Sequence, residues 1–453
     1  MKAVLYNYDV YPKVFLADTH KHITIVPLGD HTAFSRDAEY TLKIFKVNQS
    51  NPARYPERSG RSECRASVDE KGRLCFEAYF MGEGEHFINV HKGEEPKPIC
   101  TLSVYSLAQD MKGRIPLRGD LHMHTCRSDG RESPTVVAAN YRGHGYDFFT
   151  ISDHRRYYPS VEAIDFYKDI TDFNIVHGEE VHLPLNDVHY VNFGGSFSIN
   201  ALVTPNCNQE KYGDDLHYRT IDGKAPDTMT QEEFIEMIKK RAESVDREYE
   251  SERLSFAVLE WTYEQIREGG GLGIFPHPYW LCQMMQLPED YTEYIYKKAP
   301  FDAFEVLGGE RYYQHNGFQT GFYYEMKARG IDHPVVGSTD SHGSTENNAG
   351  ALICSTIVFA KKNTRDEIID AIKNKYSIAV DTISEEYRFV GDFRLMKYAS
   401  FLIENYFPIH DLACKAEGYY MKLFATGDEK AKDILKAMKG QIPEMQKKYF
   451  DVF

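Results

Sequence analysis

The hydrophobic and polar positions change their pattern near residue 115. Before it, β-branched and aromatic residues recur in short, partly alternating runs at 22–26, 40–47, 74–80, 86–90 and 101–105. Turn-rich segments such as Pro27-Leu28-Gly29-Asp30 and Met81-Gly82-Glu83-Gly84 separate them. A period of two over four to eight residues predicts half-buried strands. Strands and turns at this spacing predict a small antiparallel β-sandwich over 1–115. Arg54, Arg58, Arg61 and Arg65 fall in the expected loop between the second and third runs and read as a solvated surface.

Beyond 115, apolar strand-like runs end near His122, Ile151, Glu180, Phe193, Phe275, Leu307 and Ser338, with helical spacing at 134–142, 232–247 and 364–374 between them. Strands alternating with helices predict parallel βα units in an α/β fold. About seven in succession predict a barrel over 116–385, with functional residues at the C-terminal strand ends. The stretch 205–265 reads as an insertion, and 386–453 as a helical C-terminal extension.

Composition narrows the partners. The formal net charge of −15 over 453 residues argues against an extended nucleic-acid surface, while a phosphorylated substrate stays possible in a pocket that cations make locally positive. The eight cysteines, at 64, 75, 100, 126, 207, 282, 354 and 414, form no Cys-x-x-Cys pair, a usage that predicts a reducing cytoplasm. No signal peptide and no membrane-length apolar run is evident. Oligomeric state is not legible.

The chemistry sits at the expected strand ends. His122-Met123-His124 puts two imidazoles on one strand face. Asp129, Asp153-His154, Glu179-Glu180 with His182, His189, His277 and Asp340-Ser341-His342 follow at later strand ends. Six imidazoles and three carboxylates (His122, His124, Asp129, His154, Glu180, His189, His277, Asp340 and His342) exceed the three or four donors of one tetrahedral site. They predict two or three divalent ions, with Glu180 as the bridge. Mixed nitrogen and oxygen donors without cysteine suit zinc, manganese or iron.

Asp120-Leu121-His122-Met123-His124-Thr125 with Ser128-Asp129-Gly130, then Ser152-Asp153-His154, Gly178-Glu179-Glu180, His277-Pro278 and Asp340-Ser341-His342-Gly343, resembles the polymerase and histidinol phosphatase (PHP) superfamily. The resemblance covers about 116–385. It implies a distorted (β/α)7 barrel with a trinuclear centre that hydrolyses phosphate esters. By that resemblance His122 and His124 hold the first ion with Glu180 and Asp340. Glu180 bridges to a second ion at His189 and His277, and Asp129, His154 and His342 hold the third. His189 is preferred over His182 as the ligand after the glutamate, leaving His182 as a substrate contact.

The expected reaction is attack on phosphorus by a metal-bridging hydroxide, on a small phosphorylated metabolite or short nucleotide. Asp340 is the catalytic proton acceptor as well as a ligand. Asp120 and Asp153 are expected to orient ligand rings. Arg155, Arg156 and Arg311 are expected to bind the anion through their forked donors, with Arg127 and His315 as further candidates. Two alternatives remain: an amidohydrolase-type metal hydrolase, for which no bridging lysine is evident, and a metal-loaded binding module of a larger assembly.

Overall fold

The computed structural model describes residues 2–47, 61–206, 226–282, 284–308, 313–345, 354–382 and 387–453. Its contacts divide the chain into two units: Met1–Ile115 with Phe393–Ala413 and Gly440–Phe453, and Pro116–Asp392 with Cys414–Lys439. The helical C-terminal stretch is thus shared between both.

In the first unit the five expected runs are strands, and four more join them in one nine-stranded sheet. Alternation positions the core: along Leu74–Phe80, Leu74, Phe76, Ala78 and Phe80 are buried while Glu77 and Tyr79 face water. Arg61 and Arg65 lie on a strand, Arg61–Val68, rather than in a loop, and Arg54 and Arg58 lie outside the described residues. That strand pairs with Tyr40–Lys46 through residues 61–66 and with Leu74–Phe80 through Ser67 and Val68. The sheet is not purely antiparallel. Val14–Leu16 runs parallel to both Cys100–Leu107 and Phe450–Asp451. These partners are distant in sequence, so no hairpin dictates their direction.

The second unit is mixed α/β, with two sheets that nearly close into a barrel. One has the order Asn174–Val176, Phe148–Thr150, Ile115–Asp120, Cys354–Ala360, Ser377–Asp381, Arg388–Val390. The other has the order Gly178–Val181, Tyr190–Phe193, Leu272–Phe275, Ala303–Leu307, Val335–Gly337. Parallel βα succession holds from Leu272–Phe275 through Ala303–Leu307 to Val335–Gly337, and for Phe148–Thr150 with its two neighbours. It fails at Gly178–Val181, which pairs antiparallel with Tyr190–Phe193. The connection 182–189 is too short for the dozen or more residues that a parallel crossover needs.

The helices are set by local signals. Ser133 caps Pro134–Gly143, with proline in the first turn. Thr230 and Glu233 form a capping box on Gln231–Ala242. Phe256, Leu259, Tyr263 and Ile266 recur every three or four residues on Glu250–Glu268 and are buried in the same cluster as Phe275. The helical part of the 205–265 stretch therefore builds core, while 207–225 lies outside the described residues. Gly418 of Phe407–Ala425 lies so close to Gly143 that a Cβ there would sit 2.3 Å from the Gly143 nitrogen, and buried Arg142 meets Glu417 Oε2 at 2.7 Å. Among the described residues, no helix is long and apolar enough to cross a membrane.

Candidate metal centre

Two single bridges join the sheets of the second unit: Met123 pairs in parallel with Ser341, and His154 with Glu180. Residues flanking a paired position share a face, so the first bridge sets His122 and His124 beside Asp340 and His342. Its register is fixed by His124 N donating to Ser341 O and Asp340 N donating to His122 O, both at 2.9 Å. His189 precedes the strand Tyr190–Phe193, where Val191 is opposite Glu180. His277 lies two residues past the strand Leu272–Phe275. His277 (φ 23°) and Asp340 (φ 49°) both hold left-handed backbone, the kind of local strain that gathers at working sites.

Glu180, fully buried, is the hub. Its Oε1 faces His189 Nδ1 at 2.7 Å and the Nε2 atoms of His122 and His277 at 3.6 Å each. Its Oε2 faces His154 Nδ1 at 2.5 Å, His182 Nε2 at 3.4 Å and His124 Nε2 at 3.7 Å. Asp340 Oδ1 is 2.8 Å from His124 Nε2 and 3.3 Å from His122 Nε2, and its Oδ2 is 3.7 Å from His277 Nε2. Asp129 Oδ2 is 3.4 Å from the Nε2 atoms of both His154 and His342.

Burial alone would raise the Glu180 carboxyl, but His189, His154 and His122 outweigh it and hold it well below the usual range. Asp340 is held low in the same way, burial being overcome by His122 and His124. Burial pushes His124 and His189 down to about 4, whereas at His122, His154 and His277 the facing carboxylates outweigh burial and raise them, His154 to about 10.

The donor set fits metal ions. Both Glu180 oxygens, His122 Nε2 and His189 Nδ1 are buried without a hydrogen-bond partner among the described residues: the groups are close but misaligned for hydrogen bonding. Such orphaned polar atoms cost about 1–3 kcal/mol each unless something satisfies them. Four sets have all their donor atoms within 4.8 Å of one another: His124–Asp129–His154–His342, His122–Glu180–His277, His122–His124–Asp340 and His154–Glu180–His182.

The outer contacts differ from the expectation. Asp120 accepts from the backbone of His122 (3.2 Å) and Thr339 (3.1 Å), and from Thr339 Oγ1 at 2.6 Å. Asp153 accepts from the backbone of Thr125 (2.8 Å) and Ser128 (3.0 Å) and from both hydroxyls. These carboxylates anchor loops rather than rings: Asp153 points away from its neighbour His154 because adjacent residues on an extended chain face opposite sides, and Asp120 is taken up by Thr339 and the His122 backbone. The rings are held by residues that sequence reasoning missed. Glu305 Oε2 accepts from His122 Nδ1 at 3.0 Å, and Gln286 Oε1 accepts from His277 Nδ1 at 3.2 Å. A carboxylate inside the apolar run Phe304-Glu305-Val306-Leu307 was the available signal. Glu179 faces away from the cluster, where Ser198, Ile199 and Asn200 donate to it.

The expected anion contacts are more scattered. Arg155 is exposed, with its backbone nitrogen donating to Glu180 O at 2.8 Å. Arg156 donates to Tyr158 Oη at 3.2 Å. Arg127 is committed to Glu162 through two bonds of 2.9 and 2.7 Å. His315 is buried and turned to Gly308 O, and Arg311 lies outside the described residues.

No family model matches the chain, and no curated protein matches its sequence. Solved structures do show similarity. A two-domain protein from Bacteroides vulgatus containing a predicted PHP-like metal-dependent phosphoesterase matches at 16% identity and TM-score 0.38, over 59% of this chain and 65% of that one, under two thirds of its length. A candidate metal-dependent phosphoesterase from Bifidobacterium adolescentis matches at 16% identity and TM-score 0.32, over 50% of this chain and 88% of that one. An amidohydrolase from Chromobacterium violaceum, solved with sulfate and without metal, matches at 16% identity and TM-score 0.32, over 51% of this chain and 89% of that one.

Proposed function

We propose that this chain is a metal-dependent phosphoesterase that hydrolyses a small phosphorylated compound. The observation that carries the reading is Glu180, a fully buried carboxylate with three imidazoles facing each oxygen and no hydrogen bond to either. That shell answers to two or three divalent ions, of zinc, manganese or iron, and the order of motifs around it resembles the PHP superfamily. When bound, such ions lower the pKa of water toward neutrality and neutralise charge on phosphoryl oxygens.

The chain's own residues supply the rest. His122, His124, Glu180, His277 and Asp340 form the buried floor that holds the ions, and half-buried His189, His154 and His342 with exposed Asp129 form its rim. Asp340 would accept the proton from the attacking water, since its two oxygens face His122, His124 and His277 at the cluster. Glu305 and Gln286 fix the rings of His122 and His277, so that each presents Nε2 inward. Arg155 and Arg156, directly following His154, are the nearest sequence neighbours able to meet the phosphate from the rim. Cys64, Cys75, Cys100, Cys126, Cys354 and Cys414 are free thiols, which supports a reducing, cytoplasmic setting.

The test is release of phosphate or alcohol from phosphomonoesters and phosphodiesters by manganese-loaded protein, with amides and lactones assayed in parallel. Turnover of a phosphoester that Asp340→Asn lowers at least a hundredfold is expected. Turnover of amides or lactones alone would replace this reading with the amidohydrolase one.

A further inference from the structure

The motif pattern accounts for nine donors, but the fold delivers a tenth. His182 follows Glu180 by two residues, and its Nε2 is turned inward: 2.9 Å from His154 Nδ1 and 3.4 Å from Glu180 Oε2. The third side of this triangle, His154 Nδ1 to Glu180 Oε2, is 2.5 Å. The segment is anchored from behind. His182 N donates to Asn200 Oδ1 at 3.1 Å, and Asn200 Nδ2 donates to buried Glu179 at 2.8 Å. Only 19% of the His182 side chain is exposed.

We propose that His182, His154 and Glu180 together hold one of the divalent ions, with Asp129 behind His154, so that His182 is a ligand rather than a substrate contact. The inference rests on the metal reading above and departs from it in how the third ion is held. Bonds of 2.0–2.1 Å in a tetrahedral site put donor atoms about 3.4 Å apart. The three atoms converge at that distance or closer, and a cation would spread them slightly. His154 turns its other nitrogen, Nε2, toward Asp129 Oδ2 at 3.4 Å. A ring that binds metal through Nδ1 carries its proton on Nε2, and a carboxylate there orients it. Exposure points the same way: Asp129 is 55% exposed, so water competes for it, whereas Glu180 is sealed.

The experiment compares wild type, His182→Ala and Asp129→Asn, each stripped, reloaded with manganese and desalted. Metal content is measured by mass spectrometry and affinity by chelator competition. His182→Ala should lose one equivalent, or bind its weakest ion at least tenfold more weakly. Asp129→Asn, which keeps an oxygen beside Nε2, should keep the wild-type ion count. A His182→Ala protein with full metal content and unchanged affinity, whose only defect is a raised KM for phosphoester, overturns the proposal and makes His182 a substrate contact. A wild type that binds no manganese overturns the metal reading itself, a result distinct from the previous one. A measurement without any variant guards against misfolding: zinc titration of 15N-histidine-labelled wild type should shift the His182 Nε2 resonance into the metal-bound range. An unmoved resonance at full zinc loading contradicts the proposal.

Discussion

Both units bury charge, and they resolve the cost in opposite ways. In the first, fully buried Lys13 lies 3.2 Å from Asp9, whose shell is completed by Lys448 at 2.6 Å and the Tyr449 hydroxyl at 3.0 Å. Asp9 is thereby satisfied, with Lys448 and Tyr449 contributed by the C-terminal helix Gln441–Tyr449, whereas Lys13 Nζ makes no aligned hydrogen bond among the described residues. In the second, Glu180 is buried among imidazoles that favour its charge electrostatically but make no aligned hydrogen bond to it. Desolvating a carboxylate costs several kcal/mol in either place. A complete shell marks a structural device; an incomplete shell of metal-competent donors marks a place for something else.

The largest expected effect comes from breaking the incomplete shell. Glu180→Gln keeps the shape but removes the charge on which the ions depend. Phosphoesterase activity should fall about a thousandfold, the order of loss seen when a stabilising group is removed from a catalytic centre, and metal content should fall with it. Because His189, His154 and His122 hold the carboxylate charged even without metal, stripped Glu180→Gln should melt no higher than stripped wild type at neutral pH. A stripped variant that melts well above wild type would show that the buried carboxylate is uncompensated until metal binds.

Next is the Lys13–Asp9 pair, where removing either partner is not symmetric. Asp9→Ala strands Lys13 in the interior and should cost about 3–5 kcal/mol in urea unfolding. Lys13→Met leaves Asp9 with Lys448 and Tyr449 and should cost about 1 kcal/mol. Neither should change the number of ions bound. Equal losses in the two variants would show that the pair does not govern the packing there.

The smallest effect separates ring orientation from ligation. Glu305→Ala frees the His122 ring and should weaken metal binding about 10–100-fold. Glu305→Gln, whose amide oxygen still accepts from Nδ1, should recover most of that loss. Metal affinity by chelator competition reads both, and no recovery with glutamine would mean that the charge of Glu305, rather than its hydrogen bond, matters.

What the sequence revealed follows from the length of each signal. His122-x-His124 and Asp340-x-His342 were legible because a period of two needs only three residues to show a shared face. The strands at Leu74–Phe80 and Tyr40–Lys46 were legible because seven residues display alternation. Val14–Leu16 and Phe450–Asp451 are too short to show a period, and their pairing depends on contacts across most of the chain. The hairpin reversal after Gly178–Val181 was hidden because a strand reads the same in either direction. Glu305 and Gln286 were missed since each acts through a neighbour brought close only by the fold. Asp120 and Asp153 were assigned to rings on nearness in sequence, but Thr339, Thr125 and Ser128 take them up instead.

The central claim is that the second unit holds divalent ions, and calorimetric titration of chelator-stripped wild type with manganese tests it most directly. The account expects two or three equivalents to bind. It also expects a melting temperature that rises with free metal, as about 2.7 kcal/mol of stabilisation at a hundred times Kd requires. No heat of binding and an unchanged melting temperature at millimolar manganese would contradict it.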